Sequence, residues 1–385
     1  MELIATAAAG LEGVVARELR QLGYTDTRGF DGGVRVGGAA PADIPRLNLW
    51  LRSADRVKLV VGDFEATTFD ALFEGSLALP WSELIPPGGS FPVIGRAVKS
   101  QLASVPDCQA IVKKAVVESL RRGRGGRADS DWLSETGPLY RIEVSLREDR
   151  ATLSLDCSGD GLHKRGYRER AGAAPLRETL AAALVQLSFW RADRQLVDLF
   201  CGSGTIAIEA ALIGRDIAPG LSRRFASMAW PWIGRRVWDE AGAEAMDRAA
   251  WERPLDIQGS DIDPAMIELA TANAQAFGLT DGLHFKQMRA GDFRPQREHG
   301  VAIANPPYGE RSGEAAQVMA LYAEMGRLFE RWPSWSHYWL SGNPAFEAAF
   351  GRKAERRRKL FNAGIRCQYY QYPGPPPPRS PQPPT

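Results

Sequence analysis

The chain has 385 residues, 44% of them hydrophobic and 24% charged, with a formal net charge of +2. These are ordinary globular proportions, so a fibrous repeat and wholesale disorder are excluded, and the length suits two or three domains. No apolar run approaches the ~20 residues of a membrane span, and Met1-Glu2-Leu3-Ile4-Ala5 lacks the basic flank of a secretory signal, so a cytoplasmic protein is expected.

The first ~65 residues read as a small α+β unit. Leu3 to Ala7 is strand-like, and Leu11, Val14, Val15, Leu19 and Leu22 recur at helical spacing until Gly23 stops them. Gly33 to Val36 reads as a short strand, Ile44, Leu47 and Leu51 as a helix face, and Arg56 to Val61 as another strand. From about Thr67 to Leu155 a second α+β pattern follows. Pro86-Pro87-Gly88-Gly89 precedes a strand at Ser90 to Gly95, and a helix over Ile111 to Arg121 carries Lys113 and Lys114. Tyr140 to Val144 and Ala151 to Leu155 flank a turn at Arg147 to Arg150 and read as a hairpin. Arg121 to Arg127 is a basic, glycine-containing loop.

Beyond ~170 strand and helix alternate, the pattern of a doubly wound α/β sheet. Strands are expected at Gln195 to Leu199, Leu255 to Ser260, Leu283 to Lys286, Val301 to Ala304, Trp335 to Ser341 and Ile365 to Tyr370. Helices fit Thr205 to Ile213, Pro264 to Phe277 and Ala315 to Arg331. The Trp- and Arg-rich segment Arg215 to Pro254 reads as an insertion after the first βα unit. Arg352 to Lys359 is a second basic run, either a solvated face or a polyanion contact, and Pro373 to Thr385 reads as a disordered tail. The four cysteines, Cys108, Cys157, Cys201 and Cys367, lack CxxC spacing, so neither a metal site nor a disulfide framework is expected.

Chemistry concentrates in four turns of the C-terminal half. Leu196 to Leu199 breaks into Phe200-Cys201-Gly202-Ser203-Gly204-Thr205, where glycines let a ligand approach the backbone. A dinucleotide fingerprint would have a third glycine where Ala207 stands, and no basic residue follows to hold a phosphate. With Asp198 at the strand end, the turn suits the amino and sulfonium groups of S-adenosylmethionine. In Gly259-Ser260-Asp261-Ile262-Asp263-Pro264, Asp261 is placed to accept from ribose hydroxyls and Asp263 to cap the next helix. Asp261 lies about 60 residues past the glycines, against the usual ~20, which requires the insertion. Asp292 and Phe293 follow the third strand, suited to an adenine amino group and ring. Last comes Asn305-Pro306-Pro307-Tyr308. Its prolines hold an extended backbone. The Asn305 oxygen and the Pro306 carbonyl can each accept one hydrogen of an exocyclic amine, turning its lone pair toward the sulfonium methyl, while Tyr308 stacks on the base.

These turns resemble the class I methyltransferases that modify amino nitrogens. Asn-Pro-Pro-Tyr is shared there by adenine-N6 DNA, guanine-N2 RNA and glutamine-N5 protein methylases. Val98 to Leu102, Val112 to Val117 and Leu155 to Arg168 resemble the THUMP-containing RNA methyltransferases, nearest to the bacterial large-subunit rRNA guanine-N2 group. Ala174 to Ala181, Arg358 to Asn362 and Tyr369 to Tyr372 are similar to that group as well. The resemblance implies a ferredoxin-like domain at 1–65, a THUMP domain at 66–160 and a Rossmann-like catalytic domain at 161–372. It implies S-adenosylmethionine held by Pro175, Thr179, Asp198, Cys201, Gly202, Ser203, Gly204, Asp261, Ile262, Asp292 and Phe293. It also implies RNA, 23S rRNA in particular, contacted by Lys99, Lys113, Lys114, Arg121, Arg122 and Arg124, with no metal and no membrane. A tRNA guanine-N2 enzyme, an adenine-N6 DNA methylase and a non-enzymatic RNA-binding assembly factor are the alternatives.

Overall fold

The computed structural model describes residues 1–123, 134–168, 176–309 and 315–378. These form two compact units, one built from Met1–Ala7, Val15–Leu162 and Arg223–Ala245, the other from Ala8–Val14, His163–Ser222 and Met246–Thr385.

The first unit is organised by one mixed sheet. Its strands are β1 (Glu2–Ala7), β2 (Thr27–Phe30), β3 (Gly33–Val36), β4 (Ala54–Glu65), β5 (Val93–Val98), β6 (Ile142–Arg147) and β7 (Arg150–Asp156), in the order β2-β3-β1-β4-β7-β6-β5. The helices are α1 (Glu12–Gln21), α2 (Asp43–Trp50), α3 (Phe69–Leu77), α4 (Trp81–Leu84) and α5 (Val105–Gly123). β4 is the joint. Its first half pairs with β1 from Ala54↔Ala7 to Val60↔Glu2, and its second half pairs with β7 from Lys58↔Asp156 to Glu65↔Arg150. The two α+β patterns read from the sequence therefore share one continuous sheet, because a twelve-residue strand is long enough to serve both.

The Trp-rich insertion also belongs to this unit over Arg223–Ala245, although it interrupts the catalytic half of the sequence. Trp230 stacks on Tyr140 with ring centroids 4.9 Å apart, and its indole N–H donates to the Leu139 carbonyl at 2.9 Å. The Trp232 indole reaches the Leu84 carbonyl, and the Ser227 hydroxyl reaches that of Cys157. Large aromatic area, with the indole N–H groups of Trp230 and Trp232 both satisfied, fixes the insertion here.

The second unit is the doubly wound sheet. It comprises α6 (Glu178–Leu187), β8 (Leu196–Asp198), α7 (Thr205–Gly214), β9 (Ile257–Asp261), α9 (Pro264–Ala276), β10 (Leu283–Gln287), β11 (Val301–Ala304), α10 (Ala315–Arg331), β12 (Ser336–Ser341), α11 (Phe346–Phe350), β13 (Arg356–Asn362) and β14 (Ile365–Tyr372). Between β8 and β9 in sequence runs α8 (Arg235–Arg248), which belongs to the first unit up to Ala245. The sheet order is β10-β9-β8-β11-β12-β14-β13, with β10 through β12 parallel and β14 antiparallel to its neighbours. β8, β11 and β12 are buried along their whole length, as strands covered on both faces must be. Aromatic residues, among them Tyr322, Trp335, Trp339, Phe346 and Tyr370, fill the core beside them.

Two readings of this half change. The second half of the basic run, Arg356 to Lys359, is strand β13, and the tail is anchored at its start. Gly374 N–H donates to Ser336 Oγ at 3.0 Å, and the Pro375 carbonyl lies 3.2 Å from His299 Nδ1. Residues 379–385 lie outside the described ones.

Candidate active site

In the second unit the sheet order reverses between β8 and β11, and both neighbours of β8 run parallel to it. Such a switch point opens a crevice at the carboxyl ends of the strands. Asp198 closes β8, Asp261 closes β9, Asp292 follows β10 and Asn305 follows β11. The four turns singled out by chemistry thus arise at one edge of four adjacent strands.

The glycine turn has two differently employed glycines. Gly204 caps α7 with φ +82°, and a Cβ there would lie 2.8 Å from the Phe285 ring and 3.0 Å from Ala270. Gly202, at φ +50°, faces open space. Its N–H donates to Asp261 Oδ2 at 3.0 Å, while Asp261 Oδ1 accepts from Asp263 N at 3.0 Å. Asp261 therefore shapes two backbone turns, and each oxygen keeps a second lone pair for a ligand hydroxyl. Asp263 caps α9 by accepting from Ala265 N at 2.9 Å, with Pro264 in the first turn.

Asp198 is 1% exposed. Burial, helped by the charge of Asp261, pushes its carboxyl up to about 8 despite the Phe200 N–H that it accepts at 3.1 Å. A buried acid held partly neutral is the group a cation would ionise. Together with an open glycine and no phosphate-binding base in the turn, this fits a cationic nucleoside better than a dinucleotide. Cys201 is 6% exposed and its thiol is pushed far up by burial, so it is no nucleophile.

Behind the turn runs a buried charge network. Arg165 pairs with Glu209 at 3.2 Å, and the Tyr167 hydroxyl donates to Glu209 at 3.3 Å. Arg168 pairs with Glu178 on α6 at 3.3 Å and donates to Thr205 Oγ1 at the start of α7. Such pairs fix geometry more than they stabilise, since desolvation offsets their attraction. They tie segment 163–168 to both helices beside the turn, where Thr179 is also buried.

The Asn305 strip is held from three sides. The Tyr322 hydroxyl on α10 donates to the Pro307 carbonyl at 2.7 Å, and Asn343 Nδ2, just past β12, donates to the Tyr308 carbonyl at 2.9 Å. The Tyr308 hydroxyl donates to Asn305 Oδ1, while Asn362 Nδ2 at 3.4 Å and Cys367 Sγ at 3.5 Å point at that hydroxyl from the β13–β14 hairpin. Two donors on its oxygen direct the Tyr308 proton toward Asn305, leaving Asn305 Oδ1 one further lone pair. The Pro306 carbonyl has no hydrogen-bond partner among the described residues. One acceptor on each of two neighbouring residues thus stays available for an amine.

Some expected roles change. Phe293 is 3% exposed and packs edge-on against Trp332 and Trp335 at 5.1 and 5.9 Å, so it is a core residue with no free face for an adenine. Ile262, 65% exposed at the neighbouring turn, is the apolar surface open to one. Tyr308 turns its hydroxyl inward, and one edge of its ring lies against Gly342. Lys113 is already occupied in the first unit: its ammonium pairs with Glu135, donates to the Phe91 carbonyl and sits 3.5 Å from the Phe91 ring centroid. Lys99, Lys114, Arg121 and Arg122 are exposed, with Arg122 paired to Glu118. Pro175 and Arg124 lie outside the described residues. Asn343, Tyr322, Asn362 and Cys367 had no individual signal in the sequence.

Comparison with known proteins decides the family. A family model described as "RMKL-like, methyltransferase domain" matches residues 165–371. The chain belongs to this methyltransferase family. Models of the "RlmL ferredoxin-like domain" and the "THUMP domain" match residues 2–58 and 66–156. The chain is 55% identical over 370 residues to a Bacillus subtilis (strain 168) protein named "Putative RNA methyltransferase YpsC", covering 96% of this chain and 95% of that one. It is 35% identical over 381 residues to the ribosomal RNA large subunit methyltransferase K/L of Ectopseudomonas mendocina (strain ymp), covering 95% of this chain and 52% of that one. The chain therefore spans about half the length of the K/L relative. The crystal structure of SMU.472 complexed with SAH superposes with a TM-score of 0.91 at 45% identity, covering 98% of this chain and 99% of that one.

As a class I methyltransferase the protein draws its methyl group from S-adenosylmethionine, and the two glycines then separate fold from ligand. Gly202→Ala, at φ +50°, is expected to lose only the ~1 kcal/mol of a left-handed backbone, with no collision, yet to bind S-adenosylmethionine at least ~10-fold more weakly, because the added methyl projects into open space. Gly204→Ala is expected to cost about 1–3 kcal/mol of stability through its collision with Phe285 and its positive φ. Melting curves with and without cofactor check both; equal stability of the two variants would refute the distinction.

Proposed function

We propose that the protein transfers the methyl group of S-adenosylmethionine to the exocyclic N2 of a guanine in large-subunit ribosomal RNA. The observation that carries amino-nitrogen transfer is the clamped Asn305 strip, which leaves Asn305 Oδ1 and the Pro306 carbonyl free to accept while Tyr322, Asn343 and Asn362 hold the rest. The ring conjugation of an exocyclic amine makes it a weak nucleophile, so fixing both N–H bonds turns its lone pair to the methyl carbon. Attack then expels the neutral thioether, and the surplus proton leaves from a cationic product. Positioning supplies most of the rate, and no strong base is required. The THUMP match supports RNA as the substrate, and the K/L relatives' name supports the large ribosomal subunit.

Nucleoside mass spectrometry of RNA and DNA from a strain lacking the protein tests this. N2-methylguanosine missing from large-subunit rRNA is the expected result; N6-methyladenine lost from DNA, or N2-methylguanosine lost from tRNA alone, would overturn it.

Within the first unit the two neighbouring lysines should behave differently. Lys114→Ala is expected to lower the slope of log affinity for RNA against log salt by about 0.7–0.9 and to cost at most about 0.5 kcal/mol of stability, its aromatic contact being the Phe73 ring at 5.6 Å. Lys113→Ala is expected to lower stability by about 1 kcal/mol, since it breaks the Glu135 and Phe91 contacts. Urea melts and salt titrations of both variants check the assignment, which fails if Lys113→Ala alone changes the slope.

A further inference from the structure

The β13–β14 hairpin does more than close the sheet. Its strands pair from Arg356↔Gln371 to Asn362↔Ile365, and the chain reverses through Ala363 and Gly364 at φ +47° and +88°, the positive pair of a tight two-residue hairpin turn. The tip meets the catalytic strip: Asn362 points at the Tyr308 hydroxyl, and a Cβ on Gly342 would lie 3.0 Å from both Ile365 and the Tyr308 ring.

Side chains alternate across the hairpin, so the face opposite Asn362 carries Lys359, Phe361 and, paired across from Phe361, Arg366. Lys359 and Arg366 are exposed and Phe361 is half-buried, with the Lys359 ammonium 5.3 Å from its ring centroid. Among the described residues neither cation has an acidic partner. The sheet of the first unit is the opposite case. There Lys58 pairs with Glu143, Arg35 with Glu2 and Asp63, Arg147 with Asp31 and Arg150 with Asp63, a self-neutralised surface.

An aromatic ring between two uncompensated cations is the chemistry of single-stranded nucleic acid: the ring takes a base and the cations take phosphates. Edge-strand charge also guards against aggregation, but that role needs no aromatic ring between the charges. Resting on the RNA reading above, we infer that the hairpin tip is the docking surface for the unpaired nucleotide beside the target guanine. Phe361 stacks on its base, and Lys359 and Arg366 neutralise the flanking phosphates. The target base reaches Asn305 from one face of the tip while its neighbour is held on the other.

The test uses the full chain, a fluorescein-labelled single-stranded RNA of mixed sequence, and rRNA from a strain lacking the protein. Phe361→Ala is expected to weaken binding to the labelled RNA about 10-fold and raise KM for rRNA similarly, with the cofactor Kd unchanged, and Phe361→Tyr to restore both. Lys359→Gln with Arg366→Gln is expected to reduce the salt slope by about 1.4, close to 0.7 per phosphate on a single strand. RNA affinity and salt slope equal to wild type in these variants would overturn the inference while leaving the RNA reading intact. So would a fall in kcat with RNA binding unchanged, which marks the hairpin as a support for Tyr308 alone. A wild-type protein that methylates DNA and not rRNA would instead remove the RNA reading, and the inference with it.

Discussion

Asn305→Ala is expected to lower kcat for methyl transfer by about 10²–10³-fold while the cofactor Kd stays within about twofold. The size follows from the geometry. In the proposed reaction Asn305 supplies one of the two acceptors that fix the amine, and Asn343 and Asn362, engaged with Tyr308, are not free to replace it. The proposed cofactor turn, by contrast, is built from Asp198, Gly202 and Asp261, whose hydrogen bonds do not involve Asn305. Tyr308→Phe refines the result. It keeps the ring but removes the proton donated to Asn305, so the Asn305 amide loses the contact that selects its orientation. A fall in kcat of roughly 10-fold with unchanged KM is expected for it, about the 1.4 kcal/mol of one oriented hydrogen bond. Single-turnover transfer from labelled S-adenosylmethionine, alongside calorimetric binding, measures both variants. Undiminished turnover in Asn305→Ala would remove it from the reaction, and a rise in KM alone for Tyr308→Phe would return that residue to base stacking.

Periodicity and punctuation made the catalytic sheet legible in the sequence. β11 and α10 stand at the residues expected from an apolar run and a helical stripe, and Asp263 caps α9 beside Pro264 as their types require. Short-range patterns could not show three other features. β4 serves two sheet halves, which depends on partners 47–58 and 85–98 residues away. Arg223–Ala245 leaves the catalytic half for the first unit because Trp230 finds Tyr140, a long-range contact with no local signature. β13 was masked by its own composition, since Arg356, Arg357, Arg358 and Lys359 read as solvated charge, and only pairing with β14, whose Cys367, Tyr369, Tyr370 and Tyr372 are buried, makes them a strand. The site divides in the same way. The residues proposed to touch ligand are legible because the chemistry demands particular types at strand ends. Residues that hold them, such as Tyr322 and Asn343, are ordinary types placed by the fold.

Asp198 ties cofactor binding to pH. Buried beside Asp261, its carboxyl rises from the ordinary 3.8 to about 8 in the cofactor-free protein. The folded value lies above the unfolded one, so its contribution to stability is present below about 4 and is lost as pH rises through about 8. In that window the unfolded chain has released a proton that the folded chain retains. A bound sulfonium and ammonium reverse the preference by favouring the carboxylate, so binding should release close to one proton near neutrality. The affinity for S-adenosylmethionine is then expected to tighten by nearly 10-fold per pH unit between about 6 and 7.5 and to level off near 8. The thermal shift produced by the cofactor should grow over the same range. Asp198→Asn keeps the shape and the Phe200 hydrogen bond but cannot ionise, so its affinity should be weak and flat with pH. Calorimetry in two buffers of different ionisation enthalpy counts the proton directly. A wild-type affinity independent of pH across that range would mean that Asp198 only shapes the turn and that the positive charge of the cofactor is met elsewhere.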